Sequence, residues 1–234
     1  MASNSKINCG FINIQSVGNK TLDIHDLIID DCLDVFAVVE TWLTEVDNAK
    51  IIEMTPNTHS FFHEPRKSGG RGGGVGLFLS NSFSGVRIMK IGNSSCYESM
   101  QVNCSLDGRL FVFVVIYRPP NTNTRIFLED FSDYLESIDT VAARVFILGD
   151  FNFWYEVNEN RSTVEFRELM ETFQFSNCVD KITTNTGHML DIVYSNMTNG
   201  LVNDMSVDDV CTISPVRRLD LFYRLISQQI QGKQ

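Results

Sequence analysis

The chain has 234 residues, 43% of them hydrophobic and 21% charged, which is the composition of a folded domain and excludes a largely disordered segment. Its formal charge of −10 argues against one large basic face that neutralises nucleic-acid phosphates, but it suits an acidic site for a divalent cation. The longest apolar runs, Leu33–Val39 and Leu110–Tyr117, have the length of buried strands and are far too short to span a bilayer.

No membrane association is therefore expected. The first ten residues hold one Lys and no apolar stretch, so they do not read as a secretory signal and an intracellular protein, nuclear or cytoplasmic, is expected. The six cysteines are scattered without a CxxC pair and read as small buried hydrophobes.

In chain order, Ile7–Ile14 reads as a strand. Thr21–Asp31 has the helical spacing of Leu22, Leu27 and Ile28, and Val35–Glu40 is a continuous apolar strand ending on a carboxylate. Ser68–Gly76 (SGGRGGGVG) is the richest glycine stretch. No Gly-Lys-Ser/Thr follows it and it leads into the strand Val75–Leu79, so it reads as a flexible hairpin arm, with Arg71 placed to meet a phosphate, rather than as a P-loop. Ser99–Cys104 and Leu110–Tyr117 alternate around the turn Asp107–Gly108, a strong hairpin signal.

Arg125–Ile138 carries Phe127, Phe131, Tyr134, Leu135 and Ile138 at three- and four-residue steps, the pattern of an amphipathic helix. Val145–Leu148 is a short buried strand running into Gly149-Asp150. Ser162–Phe173 reads as a helix capped by Ser162 with Glu165 as its partner, and Leu190–Ser195 as a late strand. Leu219, Phe222, Leu225, Ile226 and Ile230 then give Asp220–Gln234 a helical spacing. No repeat, linker or low-complexity segment interrupts the chain. Strands alternate with helices but hairpins also occur, which predicts mixed sheets flanked by helices rather than a purely parallel sheet.

Polar residues stand where apolar strands run out: Asn13, Glu40, Asp150 with Asn152, and Asp191. One acidic residue after a strand is ordinarily a turn or cap. Four such positions suggest strands that share an edge and gather oxygen ligands suited to a hard divalent cation.

The blocks Asn13-Ile-Gln-Ser16, Val39-Glu40-Thr41-Trp42-Leu43, Gly72-Gly-Gly-Val75, Ile116-Tyr117-Arg118-Pro119-Pro120, Leu148-Gly149-Asp150-Phe151-Asn152 and Leu190-Asp191-Ile-Val193 follow in that order. From about residue 7 to residue 214 the sequence resembles the endonuclease domain of LINE-type (non-LTR) retrotransposons, in the endonuclease/exonuclease/phosphatase superfamily with abasic-site endonucleases and pancreatic deoxyribonuclease. The resemblance implies an α/β four-layer sandwich over residues 1–214, hydrolysing a DNA phosphodiester with Mg²⁺ or Mn²⁺. It gives Glu40 and Asn13 to the metal, Tyr117 to a phosphate oxygen, Asp150 to the attacking water and Asn152 to the transition state. Asp191 would orient a catalytic histidine, while Arg71 and Arg118 would contact phosphate or DNA.

The family closes its site with a Ser-Asp-His block. Here Ile213-Ser214 is followed by Pro215-Val216-Arg217-Arg218, and the only histidines are His25, His59, His63 and His188. General acid–base catalysis contributes about 10²–10⁴-fold in rate, so an inactive or impaired enzyme is expected. Two alternatives stay open at this point: an active nuclease with an unusual base, for which His188 is nearest in sequence, and a non-catalytic binding module. Trp154 is expected to pack over the cleft rim. Residues 215–234 read as a divergent helical tail where a strand is expected, which leaves one sheet edge incomplete and offers an apolar face for a protein partner or self-association.

Overall fold

The computed structural model describes residues 7–67, 72–89, 91, 94–138, 140, 143–180, 182–183 and 187–197, together with the strand backbones at 202–208 and 222–227. The first half alternates β1 (Asn8–Asn13), α1 (Thr21–Asp30), β2 (Val35–Val39), α2 (Asn48–Met54), β3 (His59–Glu64) and β4 (Val75–Ser80). The second half runs β5 (Ser84–Met89), β6 (Glu98–Leu106), β7 (Arg109–Tyr117), α3 (Thr124–Glu136), β8 (Ala143–Asp150), α4 (Arg161–Thr172), β9 (Ser176–Asn177) and β10 (Asp191–Ser195). The strands β11 (Val202–Asp208) and β12 (Phe222–Ser227) complete the order.

These strands form two mixed six-stranded sheets, ordered β11-β12-β1-β2-β4-β3 and β5-β6-β7-β8-β10-β9. β1–β2 and β7–β8 are the parallel pairs, and the other neighbours are antiparallel. β2 and β4 face β7, and β1 and β2 also face β8. The period of two in β2 and β4 explains the layers: Val35, Ala37, Val39, Leu77 and Leu79 join the core between the sheets, while Phe36, Val38 and Phe78 turn outward onto Ile24, Ile28 and Met54 of α1 and α2. Every residue of β8 from Val145 to Asp150 is buried, because its second face is covered by aromatic side chains of α3 and α4. Phe166 is the hub of that layer, with ring centroids 4.8 Å from Phe151, 5.0 Å from Phe153 and 6.0 Å from Phe127. This is the four-layer arrangement expected from the sequence.

Three expectations need correction. The helix over Asp220–Gln234 is not found where the chain is described: Phe222–Ser227 is strand β12, hydrogen-bonded to β1 on one side and β11 on the other. A short apolar run is ambiguous between the two periods, and the unpaired edge of β1 decides it. That edge of the sheet is therefore paired, and among the described residues the tail is strand and not helix. The cap of α4 is Asn160, whose side chain accepts from the amides of Ser162 and Thr163 at 3.0 and 3.4 Å, not Ser162. The glycine stretch is not a free arm from Gly72 onward, as its contacts below show. Arg71 and Ser214 lie outside the described residues.

Gly149 permits the close approach of β7 and β8 beside the site. A Cβ there would lie 2.6 Å from the Ile116 carbonyl oxygen and 2.9 Å from Ile116 Cβ, with both strands fixed by their ladder. Gly149→Ala is therefore expected to lower stability by about 1–3 kcal/mol, read from the midpoint of urea unfolding. An unchanged midpoint would show that the two strands can separate locally.

Candidate active site

Parallel pairing brings the strand-end residues to one edge of the sandwich. In the first sheet Asn13, the last residue of β1, lies in register with Val39, so Glu40 follows immediately beyond it. In the second sheet Tyr117, ending β7, pairs with Asp150, ending β8. Asp191 does not end its strand. It opens β10, which is antiparallel to β8, and so arrives opposite Asp150 at the same edge.

The two sheets meet through Asn13. Its Nδ2 donates to Glu40 Oε1 and to Asp150 Oδ2, both at 2.9 Å, so one amide group bridges two carboxylates from opposite sheets. Asn13 Oδ1 accepts from the Gln15 amide at 3.2 Å. Glu40 Oε2 accepts from the Trp42 indole at 3.4 Å, and the Tyr117 hydroxyl is hydrogen-bonded to the Glu40 carboxylate. Asp150 Oδ1 accepts from the Asn152 amide at 3.0 Å, and Asn152 Nδ2 donates to the Arg118 carbonyl at 2.8 Å. Asn13, Tyr117, Asp150 and Asp191 are all buried, whereas Glu40 is half-buried and faces the opening.

Backbone strain gathers here as well. Gln15, Ser16, Glu40, Trp42 and Asn152 all adopt left-handed φ, between 45° and 88°, a region costly for side chains with a Cβ. Such residues persist where surrounding structure fixes them and cluster at functional sites. At Glu40 the fixing is visible: its carbonyl accepts from Ser16 N at 2.7 Å, while Thr41 N and Trp42 N donate to the carbonyls of Gly74 and Gly73 at 3.2 and 2.9 Å.

The electrostatics follow from this burial. Asp150 is pushed up to about 7, first by desolvation and then by the Glu40 charge, against the hydrogen bonds from Asn13 and Asn152 and the attraction of Arg118. Tyr117 is raised by burial, by Glu40 and by Asp150. Two carboxyl groups around one amide, one of them raised by burial and by its neighbour's charge, form a site short of positive charge. Its donors are all oxygens, from Glu40, Asp150 and Asn13 Oδ1, which fits a hard cation that keeps several waters. Among the described residues no group of three or more His, Cys, Asp or Glu is arranged as a metal cluster, so a cage formed only by such side chains is not the fit.

Not every expected residue serves the cleft. Arg118 is buried. Its Nη1 donates to the carbonyls of Phe151 and Asn152 at 3.1 and 3.4 Å, and its Nη2 to Thr122 O and Thr124 Oγ1 at 3.1 and 2.9 Å. The guanidinium also lies 4.4 Å from the Phe153 ring centroid and 5.3 Å from that of Phe127. It fastens the loop after Asp150. Sequence reading missed Arg66 and Glu98, which flank Tyr117 and are taken up below.

The histidines are placed as follows. His59 bonds Leu33 O at 2.8 Å, His25 bonds Asp26 at 3.1 Å, and His63 stacks on Phe61, which packs on the outer face of the first sheet. His188 Nδ1 is 2.5 Å from Glu156 Oε1, and its ring stacks on half-exposed Trp154 with centroids 4.4 Å apart.

Comparison with known proteins bears on the family and the fold. A family model described as "Endonuclease/Exonuclease/phosphatase family" matches residues 8–222. No curated protein matches the chain in sequence. Among solved structures, the endonuclease domain of TRAS1, a telomere-specific non-LTR retrotransposon, superposes with a TM-score of 0.72 at 10% identity, over 96% of this chain and 100% of its own. An AP endonuclease from Archaeoglobus fulgidus gives 0.69 at 12% identity, over 94% and 99%. A family protein from Leptotrichia buccalis C-1013-b gives 0.72 at 15% identity, over 96% and 100%. At these identities the likeness is one of fold.

Proposed function

The chain belongs to the endonuclease/exonuclease/phosphatase family, and from that premise we propose that it is a divalent-cation-assisted phosphodiester hydrolase of the DNA-endonuclease type, impaired by the lack of a catalytic imidazole. The observation that carries this reading is the bridge from Asn13 Nδ2 to Glu40 and Asp150, at 2.9 Å each, in a chain with no histidine beyond His188.

Glu40 and Asn13 Oδ1 would hold Mg²⁺ or Mn²⁺, which when bound polarises the phosphate and stabilises the leaving oxygen. The protein's own residues do the rest. Asp150, once ionised, accepts a proton from the attacking water and fixes its direction, with its carboxylate held by Asn13 and the Asn152 amide. The Asn152 amide group has a second hydrogen beside the one given to the Arg118 carbonyl, and it donates this to a phosphate oxygen in the transition state. Burial keeps the Tyr117 hydroxyl protonated, and its single hydrogen, turned to Glu40 in the free site, would pass to a phosphate oxygen once a cation takes up the Glu40 carboxylate. Asp191 stands opposite Asp150, and with no histidine after residue 188 in the sequence leaving-group protonation would fall to solvent. The His188 ring already faces Glu156 and Trp154, which supports leaving it out of the chemistry. DNA as the substrate rests on the likeness to the TRAS1 and AP endonucleases.

The test is metal binding. Mn²⁺ relaxation is expected to report one weak site that is lost in Glu40→Ala. Because Asp150 holds its proton up to about 7, binding competes with that proton below pH 7 and should tighten as pH rises from 6 to 8. Binding unchanged in Glu40→Ala would mean that the strand-end oxygens are not the ligands.

A further inference from the structure

Arg66 and Glu98 meet at the rim of the cleft, where the first sheet touches the second. Arg66 follows β3, and its Nε donates to Glu98 Oε1 at 2.5 Å. The other oxygen, Glu98 Oε2, accepts from the Gly74 amide at 2.5 Å. Glu98 opens β6 in the opposite sheet and stands in register with Tyr117, whose ring centroid is 5.8 Å from the Arg66 guanidinium. Both side chains are less than one-fifth exposed.

The glycine run is shaped around this pair. Gly72, Gly73 and Gly74 have φ of 97°, 73° and 86°, and a Cβ on Gly73 would fall 2.3 Å from Arg66 Nε and 2.5 Å from Nη2. A Cβ on Gly74 would fall 2.5 Å from Thr41 Oγ1. Three successive left-handed residues thus let the main chain curl over a guanidinium and then touch the segment that carries Glu40. The carbonyls of Gly73 and Gly74 hold the amides of Trp42 and Thr41, and Trp42 and Tyr117 both bond the Glu40 carboxylate.

We propose that the Arg66–Glu98 pair is a cross-sheet strut of positioning residues, which sets the Glu40 carboxylate and the Tyr117 hydroxyl for the cation and the phosphate. It acts by two routes. One runs from Glu98 through Gly74 and Gly73 to the left-handed backbone of Glu40. The other runs through the β6–β7 register to Tyr117. The planar fork of Arg66 matters for this role, since it must meet Glu98 edge-on while its plane lies under the glycine backbone. The strut rests on the reading of Glu40 as the cation ligand.

Three variants test it: Glu98→Gln, which removes one of two acceptor oxygens; Arg66→Lys, which keeps the charge and loses the fork; and Gly73→Ala, which displaces the guanidinium without changing a polar group. The probe is Mn²⁺ alone, followed by relaxation and by quenching of Trp42 fluorescence in a Trp154→Phe background, where Trp42 is the remaining tryptophan. Each variant is expected to weaken Mn²⁺ binding about tenfold and to reduce the quenching, while thermal melting confirms that it is folded. A variant that fails to fold leaves the same measurement to the other two. Mn²⁺ affinity within twofold of the unaltered protein in every folded variant overturns the strut, provided Glu40→Ala abolishes binding. Binding that survives Glu40→Ala overturns the reading of the site, and the strut with it.

Discussion

Inserting an Asp-His pair between Ser214 and Pro215 is expected to raise Mg²⁺-dependent nicking of supercoiled DNA by about 10²–10⁴-fold, the usual contribution of a positioned general acid or base. The residues proposed for the chemistry are brought together without it. Asn13 joins Glu40 to Asp150, Tyr117 is held by Glu40, and Asp191 is buried opposite Asp150. An inserted Ser-Ala pair, of the same length, should leave the rate unchanged. An equal rate in both insertions would show that the missing imidazole is not what limits this protein.

Asp150→Asn should have a comparable effect in the opposite direction, lowering the residual metal-dependent rate by about 10²–10⁴-fold. The substitution keeps the side-chain volume and one acceptor oxygen but cannot take a proton from water. The pH profile separates this cause from a folding defect. With its carboxyl pushed up to about 7, Asp150 is protonated below that pH and ionised above it, so the rate of the unaltered protein should rise through pH 7. A bound cation moves this rise lower. The same raised value acts on stability: its contribution is present below the ordinary carboxylate range and is lost as pH rises through 7, so metal should stabilise the fold more at pH 8 than at pH 6. If the Asp150→Asn variant still accelerates through pH 7, the titrating group lies elsewhere.

Much of this architecture was legible because local pattern and tertiary outcome agree. Val35–Val39 is apolar throughout because both faces are covered, and the turn Asp107–Gly108 gives the β6–β7 register. Counting outward from that turn sets Glu98 opposite Tyr117, a signal that could have exposed the strut. The edge strand β5 has six exposed residues and so no buried face to betray it. Helix α2 has seven residues, too few for a helical period to stand out. The burial of Arg118 was not legible because two of the residues around it, Phe151 and Phe153, are remote in sequence. The tail was misread because β12 is decided by the free edge of β1, some two hundred residues earlier in the chain.

Asn13, Glu40 and Asp150 were legible as polar residues where strands run out, Asp191 instead opens its strand, and the resemblance supplied the roles proposed for all four. What sequence could not supply was the distribution of charge. That Asp150 is buried beside Glu40, while Glu40 faces the opening, follows from the packing of one sheet on the other. The left-handed backbone of Glu40 likewise depends on Gly73 and Gly74, more than thirty residues away.

The most direct measurement is nicking of supercoiled plasmid by the unaltered chain with Mg²⁺, beside Glu40→Ala. The expected result is slow conversion that requires the metal and is absent in Glu40→Ala. Rapid conversion that disappears in Asp150→Ala would contradict the impairment and require another base, and conversion at equal rates with and without Glu40 would contradict the site itself.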